Sequence, residues 1–543
     1  MLSGDLPLKA HCLPFRQVPH TSRLFLDFLD HKPEVRRFYP RSAKFAEWFQ
    51  DETSRVRYDS ARRNRVAGIL ERQNKAWGAS AGTLENISKL RAGAYAAVTG
   101  QQVALFGGPA FSLYKALSAV RLAEEARRAG IDCVPVFWLA TQDHDLEEVN
   151  QVTIPGADAQ VKRISAPTEG VRDAPVSNIK FGAEVDAAVN AVAELLGESE
   201  GVTLLRQCYR AGETFGSAFA RLFAQLFGGW GVILLDASDP ELSAIAEPVY
   251  ASALERAEEL DRKLLARGEE LESAGYHQQV KVTSSSTLLF CLKDGVRVPV
   301  QRAEAGGFVV GDEKIDKNAL LDRVKVSPQD FSANVLLRPV LQDHILPTLA
   351  YTGGAAETAY FAQAGVVYEA LSGRITPVVP RFSATILEPK PKALLDKYGL
   401  QFTDVFEGPE AVREQLASQT LPKELQGAFE EADRKLSESM GKVRELLGKL
   451  DKTLVEAAAN AAAKIAHQLE SLRSRAARAE LRQSEVLARH AEMLSGMLYP
   501  GKGLQEREVG AIYFIGRYGT HFLTELHETI HTDCPDHQVI TLQ

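Results

Sequence analysis

Two polar clusters in the first third of the sequence hold residue types that can do chemistry. One is Thr99-Gly100-Gln101-Gln102, running on to Gly107-Gly108, with Lys115 a short way beyond. A glycine-rich loop ahead of a helix presents free backbone N–H groups, and a lysine one or two turns inside adds charge, so the pattern suits an anion. It is neither the GxxxxGK[ST] nor the GxGxxG arrangement, and a tight turn with a polar surface would read the same way. The other cluster is Asp143-His144-Asp145. Carboxylates beside a histidine can raise its pKa and fix its tautomer, so the trio could orient a general base, bind an amine or hold a metal. No second histidine stands at ligand spacing, so no metal is expected. The plain alternative is a solvated loop entering an acidic helix start at Glu147 and Glu148.

The theme returns later. Gln342-Asp343-His344, and Gly353-Gly354 with Glu357 and Tyr360, place polar groups and glycines after short apolar runs. Arg381 and Ser383 could contact phosphate, or Arg381 could pair with a carboxylate. His521, His527, His531 and His537 read as surface residues.

The elements that would position these groups are legible. An apolar run, Ala94 to Val98, enters the first cluster, and Pro109 fits the first turn of a helix. Leu113, Ala116, Leu117, Val120 and Ala123 recur at helical spacing, and Gly130 stops the helix. A second apolar run, Cys133 to Ala140, enters the second cluster. Strand, helix and strand of this kind close as a right-handed crossover with parallel strands. Ligands of such sheets sit outside the carboxyl ends of the strands, where the two clusters would lie side by side.

Taken in order, the chain divides as follows. Residues 1–150 form a helical layer and the first part of the sheet core, and 151–226 an insertion of small strands and helices. Residues 227–292 continue the core through the strand Gly231 to Asp236, and 293–330 form a second insertion with a hairpin turn at Gly306-Gly307. Residues 331–389 complete the core with strands at Pro347 to Tyr351 and Ile375 to Val379. Residues 390–500 are rich in Ala, Leu, Glu, Lys and Arg. Leu425, Phe429, Ala432, Leu436, Met440, Val443 and Leu447 give one narrow stripe, which Gly448 would end. A second helix from Asp451 to about Leu498 gives another. Such stripes predict an antiparallel coiled coil that pairs with a second copy, a homodimer. Residues 501–543 return to the core.

Composition narrows the function. The chain has 543 residues, 45% hydrophobic and 25% charged, and a formal charge of −8. That charge argues against nucleic acid as a partner. No apolar run is long enough to span a membrane, and no leader is expected. The five cysteines, Cys12, Cys133, Cys208, Cys291 and Cys534, are scattered. Each reads as a small buried hydrophobe, and the set fits a reducing cytoplasm.

The segments VTGQQVALFGGPAFSLYKALSAVRLA, VPVFWLATQDHDLEEVN, LRPVLQDHILPTLAYTGGAAETAYFAQ, VVPRFSATILE and LQEREV carry a resemblance over essentially the whole chain. It resembles the cysteine ligase family of bacillithiol biosynthesis. The resemblance implies an α/β fold. Its core would be a Rossmann-like parallel sheet akin to class I aminoacyl-tRNA synthetases, with two connecting-peptide insertions and an α-helical coiled-coil dimerisation domain. It implies a ligase that joins the carboxylate of cysteine to the amine of glucosaminyl-malate, with ATP and magnesium as the expected activating cofactors. By the same resemblance Asp143, His144 and Asp145 would position or deprotonate the amine. Thr99 to Gln102 would face nucleotide or cysteine, and Arg381 and Ser383 would stand near a phosphate loop. The first helix contains no HxGH, and no KMSKS occurs. That departure motivates an alternative, a non-catalytic nucleotide-sensing scaffold.

Overall fold

The computed structural model describes residues 8–156, 160–168, 173–304, 306–419, 423–483, 485–531 and 534–542. It forms two compact units, Met1–Gly156 with Lys162–Ile386 and Gln505–Gln543, and Ala157–Val161 with Leu387–Leu504.

The larger unit opens on a strand, β1 (Leu8–Leu13). A helical layer follows, including Ser60–Ala76 and Ala81–Ala92, whose first turns are capped by the side chains of Asp59 and Ser80. Then come β2 (Tyr95–Gln101), helix α1 (Phe111–Arg128), β3 (Cys133–Leu139) and, after an insertion of small strands and helices, β4 (Ile233–Asp236). Strands β5 (Ser286–Lys293) and β6 (Val296–Arg302) build a separate sheet. The chain returns through helix α2 (Arg338–Ile345), strand β7 (Thr348–Gly353), helix α3 (Ala355–Leu371) and strand β8 (Val378–Pro380).

Five strands make a parallel sheet in the order β8-β7-β2-β3-β4. Every residue of β3 is buried, as a strand covered on both faces requires. The chain runs outward from β2 through β3 to β4 and then restarts on the other side of β2 at β7. Strand order therefore reverses between β2 and β7, and the helices that follow these two strands diverge from a common crevice. At the outer edge, two side-chain amides pair with the β4 backbone. Asn74 donates to Leu234 O at 2.7 Å and accepts from its N–H at 3.0 Å. Gln73 donates to Asp236 O at 3.2 Å and accepts from its N–H at 3.1 Å.

The second sheet is antiparallel, in the order Glu313–Ile315, Phe308–Val310, β6, β5, Phe331–Ala333. The boundary expected at residue 293 thus cuts through it, because β5 belongs here and not to the core. The two-residue turn that joins β5 to β6 is Asp294-Gly295, with φ of +53° and +80°, the Asp-Gly hairpin chemistry that holds two strands together. A third sheet has the order β1, β10 (His537–Leu542), β9 (Ala384–Leu387). β1 and β10 run antiparallel, Leu8 opposite Leu542 and Leu13 opposite His537. A disulfide joins Cys12 to Cys534, which corrects the reading of these two cysteines as buried hydrophobes. Cys133, Cys208 and Cys291 are free and buried.

The smaller unit is helical. Its long elements are α4 (Lys423–Leu450), α5 (Leu454–Gln483) and α6 (Glu485–Leu498), and α4 packs along α5. Gly448, expected to end a helix, lies inside α4. The turn is instead made at Asp451, whose carboxylate accepts from the Thr453 N–H at 2.8 Å. Ser484, within the expected single helix from 451 to 498, lies outside the described residues. No described helix of the chain is long and apolar enough to cross a membrane.

Candidate active site

Lys115 of α1 and Glu357 of α3 meet at the point where the strand order reverses. Each comes from the helix that follows one of the two diverging strands. The Lys115 Nζ donates to Glu357 Oε2 at 2.7 Å, to Gly100 O at 2.8 Å and to Gln101 Oε1 at 2.7 Å. All three ammonium donors are used. Glu357 also accepts from the Gly354 N–H at 2.8 Å and from the Tyr351 hydroxyl. A Cβ on Gly353 would stand 2.8 Å from the Glu357 Cβ, so glycine there lets the carboxylate fold back over the strand end. Burial pushes the Lys115 ammonium down to about 8 against the pull of Glu357. Burial alone would raise Glu357, but Lys115, Tyr351 and Gly354 hold it below the usual carboxylate range. Both are ionised at neutral pH.

The pair forms part of the wall of a cavity of about 630 Å³. Gly100, Gln101, Gln102, Asp143, His144, Gly354, Tyr360 and Arg381 also line it, so both clusters read from the sequence reach one space. Gln102 Nε2 bridges Asp143 Oδ2 and Glu148 Oε2, at 2.8 Å each.

Arg297, which sequence reasoning missed, controls the second cluster. It is 3.1 Å from His144 Nδ1 and donates to Ser332 Oγ at 2.9 Å and Ala333 O at 3.0 Å, stacked 3.9 Å over Phe290. An arginine can only donate, so Nδ1 carries the lone pair and the neutral ring holds its proton on Nε2. Asp143 lies 3.6 Å from Nδ1, acceptor facing acceptor. The flanking carboxylates therefore do not fix the tautomer; Arg297 does. In this state His144 donates through Nε2, and Asp143 supplies the acceptor.

Three more arginines face the cavity. Arg338 donates to Tyr360 Oη at 3.2 Å and Gln342 Oε1 at 3.1 Å, both neutral groups, and lies 5.1 Å from the Tyr351 ring centroid. Arg381 is held by Glu506 through two bonds of 2.6 and 3.1 Å. Glu506, 1% exposed, also accepts from Ser383 Oγ at 3.0 Å and from the Ala384 N–H at 2.9 Å. Ser383 Oγ and Thr385 Oγ1 flank the buried His537 imidazole at 2.8 and 2.9 Å. Arg507 completes the basic lining.

Several expected site residues stand elsewhere. Thr99 is buried and donates to Thr352 O at 2.9 Å. Gly107 and Gly108 shape the turn before α1, with φ of +88° and +68°, and do not line the cavity. Asp145 caps a short helix by accepting from the Glu148 N–H at 3.0 Å. Gln342-Asp343-His344 is not a loop after a strand. Pro339 starts α2, and the three residues are helical. Gln342 lies behind Arg338, while Asp343 pairs with Arg374 and Thr376 away from the cavity. Gly353 supports Glu357 from β7, and Ser383 braces Glu506.

The C-terminal histidines are not all on the surface. His527 pairs with Glu124 at 3.1 Å, and His537 is fully buried. Burial, strengthened by Arg381 and opposed by Glu506, pushes His537 down to about 4. An unfolded His537 binds its proton near pH 6.5, so between pH 6.5 and 4 the unfolded chain holds more protons and stability falls as pH falls. Urea unfolding over this interval should show the loss, with His537→Gln reducing its slope by about 1.4 kcal/mol per pH unit. An unchanged slope would refute the assignment.

Two strings carry hydrolase spacings without hydrolase geometry. Gly197-Glu198-Ser199-Glu200-Gly201 matches GxSxG, but Ser199 caps a helix that follows another helix, not a strand. His527-Glu528-Thr529-Ile530-His531 matches HExxH, but the helix ends at Thr529, and no metal-holding group of three occurs among the described residues.

Comparison with known proteins adds a family to this geometry. Residues 8–382 match the family described as "Bacillithiol biosynthesis BshC, N-terminal Rossmann-like domain", and 384–542 match "Bacillithiol biosynthesis BshC, C-terminal coiled-coil domain". The chain is similar to a Koribacter versatilis protein, 48% identical over 97% of this chain and 99% of that one. It is 35% identical to a Solibacter usitatus protein over 98% and 100% of the two chains. A Salinibacter ruber protein is 31% identical over 98% of each. All three are named "Putative cysteine ligase BshC".

Proposed function

The chain belongs to the BshC family of bacillithiol biosynthesis, and from that premise we propose that it is a ligase joining the cysteine carboxylate to the amine of glucosaminyl-malate. The observation that carries this reading is the charge balance of the cavity. Arg338 has only neutral hydrogen-bond partners among the described residues and Arg507 adds a further positive charge, whereas Lys115 is offset by Glu357, Arg381 by Glu506 and Arg297 by Asp143 at 3.8 Å. A cavity so lined fits anionic substrates, and its aromatic walls, Phe111, Trp138 and Phe290, fit a flat ring.

A carboxylate and an amine do not condense in water unaided. ATP with magnesium would supply the activation, turning the carboxylate into an acyl phosphate or acyl adenylate. The basic lining suits that demand, because preorganised cations offset phosphate charge where water is excluded. Lys115 holds Gly100 and Gln101 in place beside Glu357. Asp143 accepts a proton or hydrogen bond from the attacking amine, and the His144 Nε2–H donates to a substrate oxygen beside it, leaving the amine lone pair free. Exposed apolar residues of the hairpin, Leu446 at 63%, Leu450 at 79% and Leu472 at 55%, support its pairing with a second copy.

The test is mass spectrometry of purified protein with cysteine, glucosaminyl-malate, magnesium and ATP, with each omitted in turn. Amide product with AMP or ADP release, reduced at least a hundredfold by Asp143→Ala with His144→Ala, is the expected result. No product under any condition would sink the ligase reading in favour of a scaffold.

A further inference from the structure

The Cys12–Cys534 disulfide ties together residues 522 positions apart. Cys12 lies at an exposed position of β1, where a small thiol can reach it. The other three thiols are buried, and burial pushes Cys133 up to about 12 and Cys208 and Cys291 to about 11, so they are poor nucleophiles. Redox chemistry on this chain is therefore confined to one pair.

That pair sits at the head of a line of contacts into the cavity. Two residues beyond Cys534, Asp536 accepts from the Phe15 N–H at 2.9 Å. The next residue, His537, opens β10 and is held by Ser383 and Thr385, at 2.8 and 2.9 Å. Ser383 bonds Glu506, and Glu506 holds Arg381 at the cavity wall. The Gln538 N–H donates to Ser383 O at 2.9 Å, a second tie between β10 and the same segment.

We propose that Cys12 and Cys534 form a reversible redox clasp, opened by a low-molecular-weight thiol, whose opening loosens β10 and with it the Ser383–Glu506–Arg381 arm of the cavity. In opening, a small thiolate attacks one sulfur, forms a mixed disulfide and releases the other cysteine. A second small thiolate attacks the mixed disulfide and leaves as the small-molecule disulfide. Two electrons pass to the protein, and two protons end on Cys12 and Cys534. Closing is the reverse, with the small-molecule disulfide as oxidant. The ligase reading enters in one respect: under it, the opening thiol is of the class that the enzyme makes.

The test equilibrates the full chain with cysteine and cystine at ratios from 100:1 to 1:100. Differential alkylation is read by mass spectrometry and backbone exchange by deuterium uptake. Cys12 and Cys534 should titrate together as one two-electron pair while the other three cysteines stay unlabelled. Exchange over His537–Leu542 and Ala384–Leu387 should rise about tenfold on opening, and Cys12→Ser should show the open-state exchange at every ratio. Independent titration of the two cysteines, or equal exchange in both states, overturns the proposal. Neither readout needs turnover, so a failed ligase assay leaves this test intact.

Discussion

Lys115→Met lowers ligation at least a hundredfold and the unfolding free energy by about 3 kcal/mol. The methionine keeps most of the stem's volume but removes the charge that Glu357, Gly100 O and Gln101 share. Glu357 is left as a largely buried carboxylate without its cation, which is costlier than losing the pair. The same lysine predicts an alkaline limit. Folded, it loses its proton near pH 8, well below its ordinary value of 10.5. Between those values the unfolded chain binds more protons, so this titration raises stability with pH while it removes the cavity's cation. Activity should therefore fall through pH 8 with no matching fall in melting temperature. A Lys115→Met enzyme with wild-type turnover would remove the residue from the site.

Glu506→Gln should be the most damaging substitution away from the cavity surface itself. It keeps the shape but leaves the Arg381 guanidinium, 8% exposed, without its counter-charge. Breaking a buried pair this way costs about 3–5 kcal/mol. Adding Arg381→Met to Glu506→Gln should recover at least half of that stability, because no unpaired charge then remains. Activity should not return, since Arg381 lines the cavity. Denaturant unfolding and turnover of the three variants separate the two effects. Stability of Glu506→Gln equal to wild type would show that water already serves Arg381.

The parallel core was legible because buried parallel strands are continuous apolar runs, and the turn after such a strand is where polar residues gather. That logic finds Gly100 to Gln102, Lys115, Asp143, His144 and Glu357. It misplaces Asp343, because an apolar run ending in a polar trio looks the same whether it is strand or helix; only Pro339 marked the helix. It cannot find Arg297. That residue lies on an antiparallel strand, reaches a histidine 153 positions away, and has no local spacing to announce it. The Cys12–Cys534 pair is invisible for the same reason, since no spacing rule spans 522 residues. Ser199 and His527 show the converse: a matching string has no chemistry where the supporting strand or helix is missing.

The amides of Gln73 and Asn74 have a consequence for how the molecule behaves in a crowd of its own kind. An outermost strand of a sheet is a template for a stranger's backbone, and many proteins aggregate by that route. Here the donors and acceptors of Leu234 and Asp236 are already occupied by side chains from a helix. They imitate a sixth strand without being one. Growth of the sheet by recruitment of another chain is halted at this border.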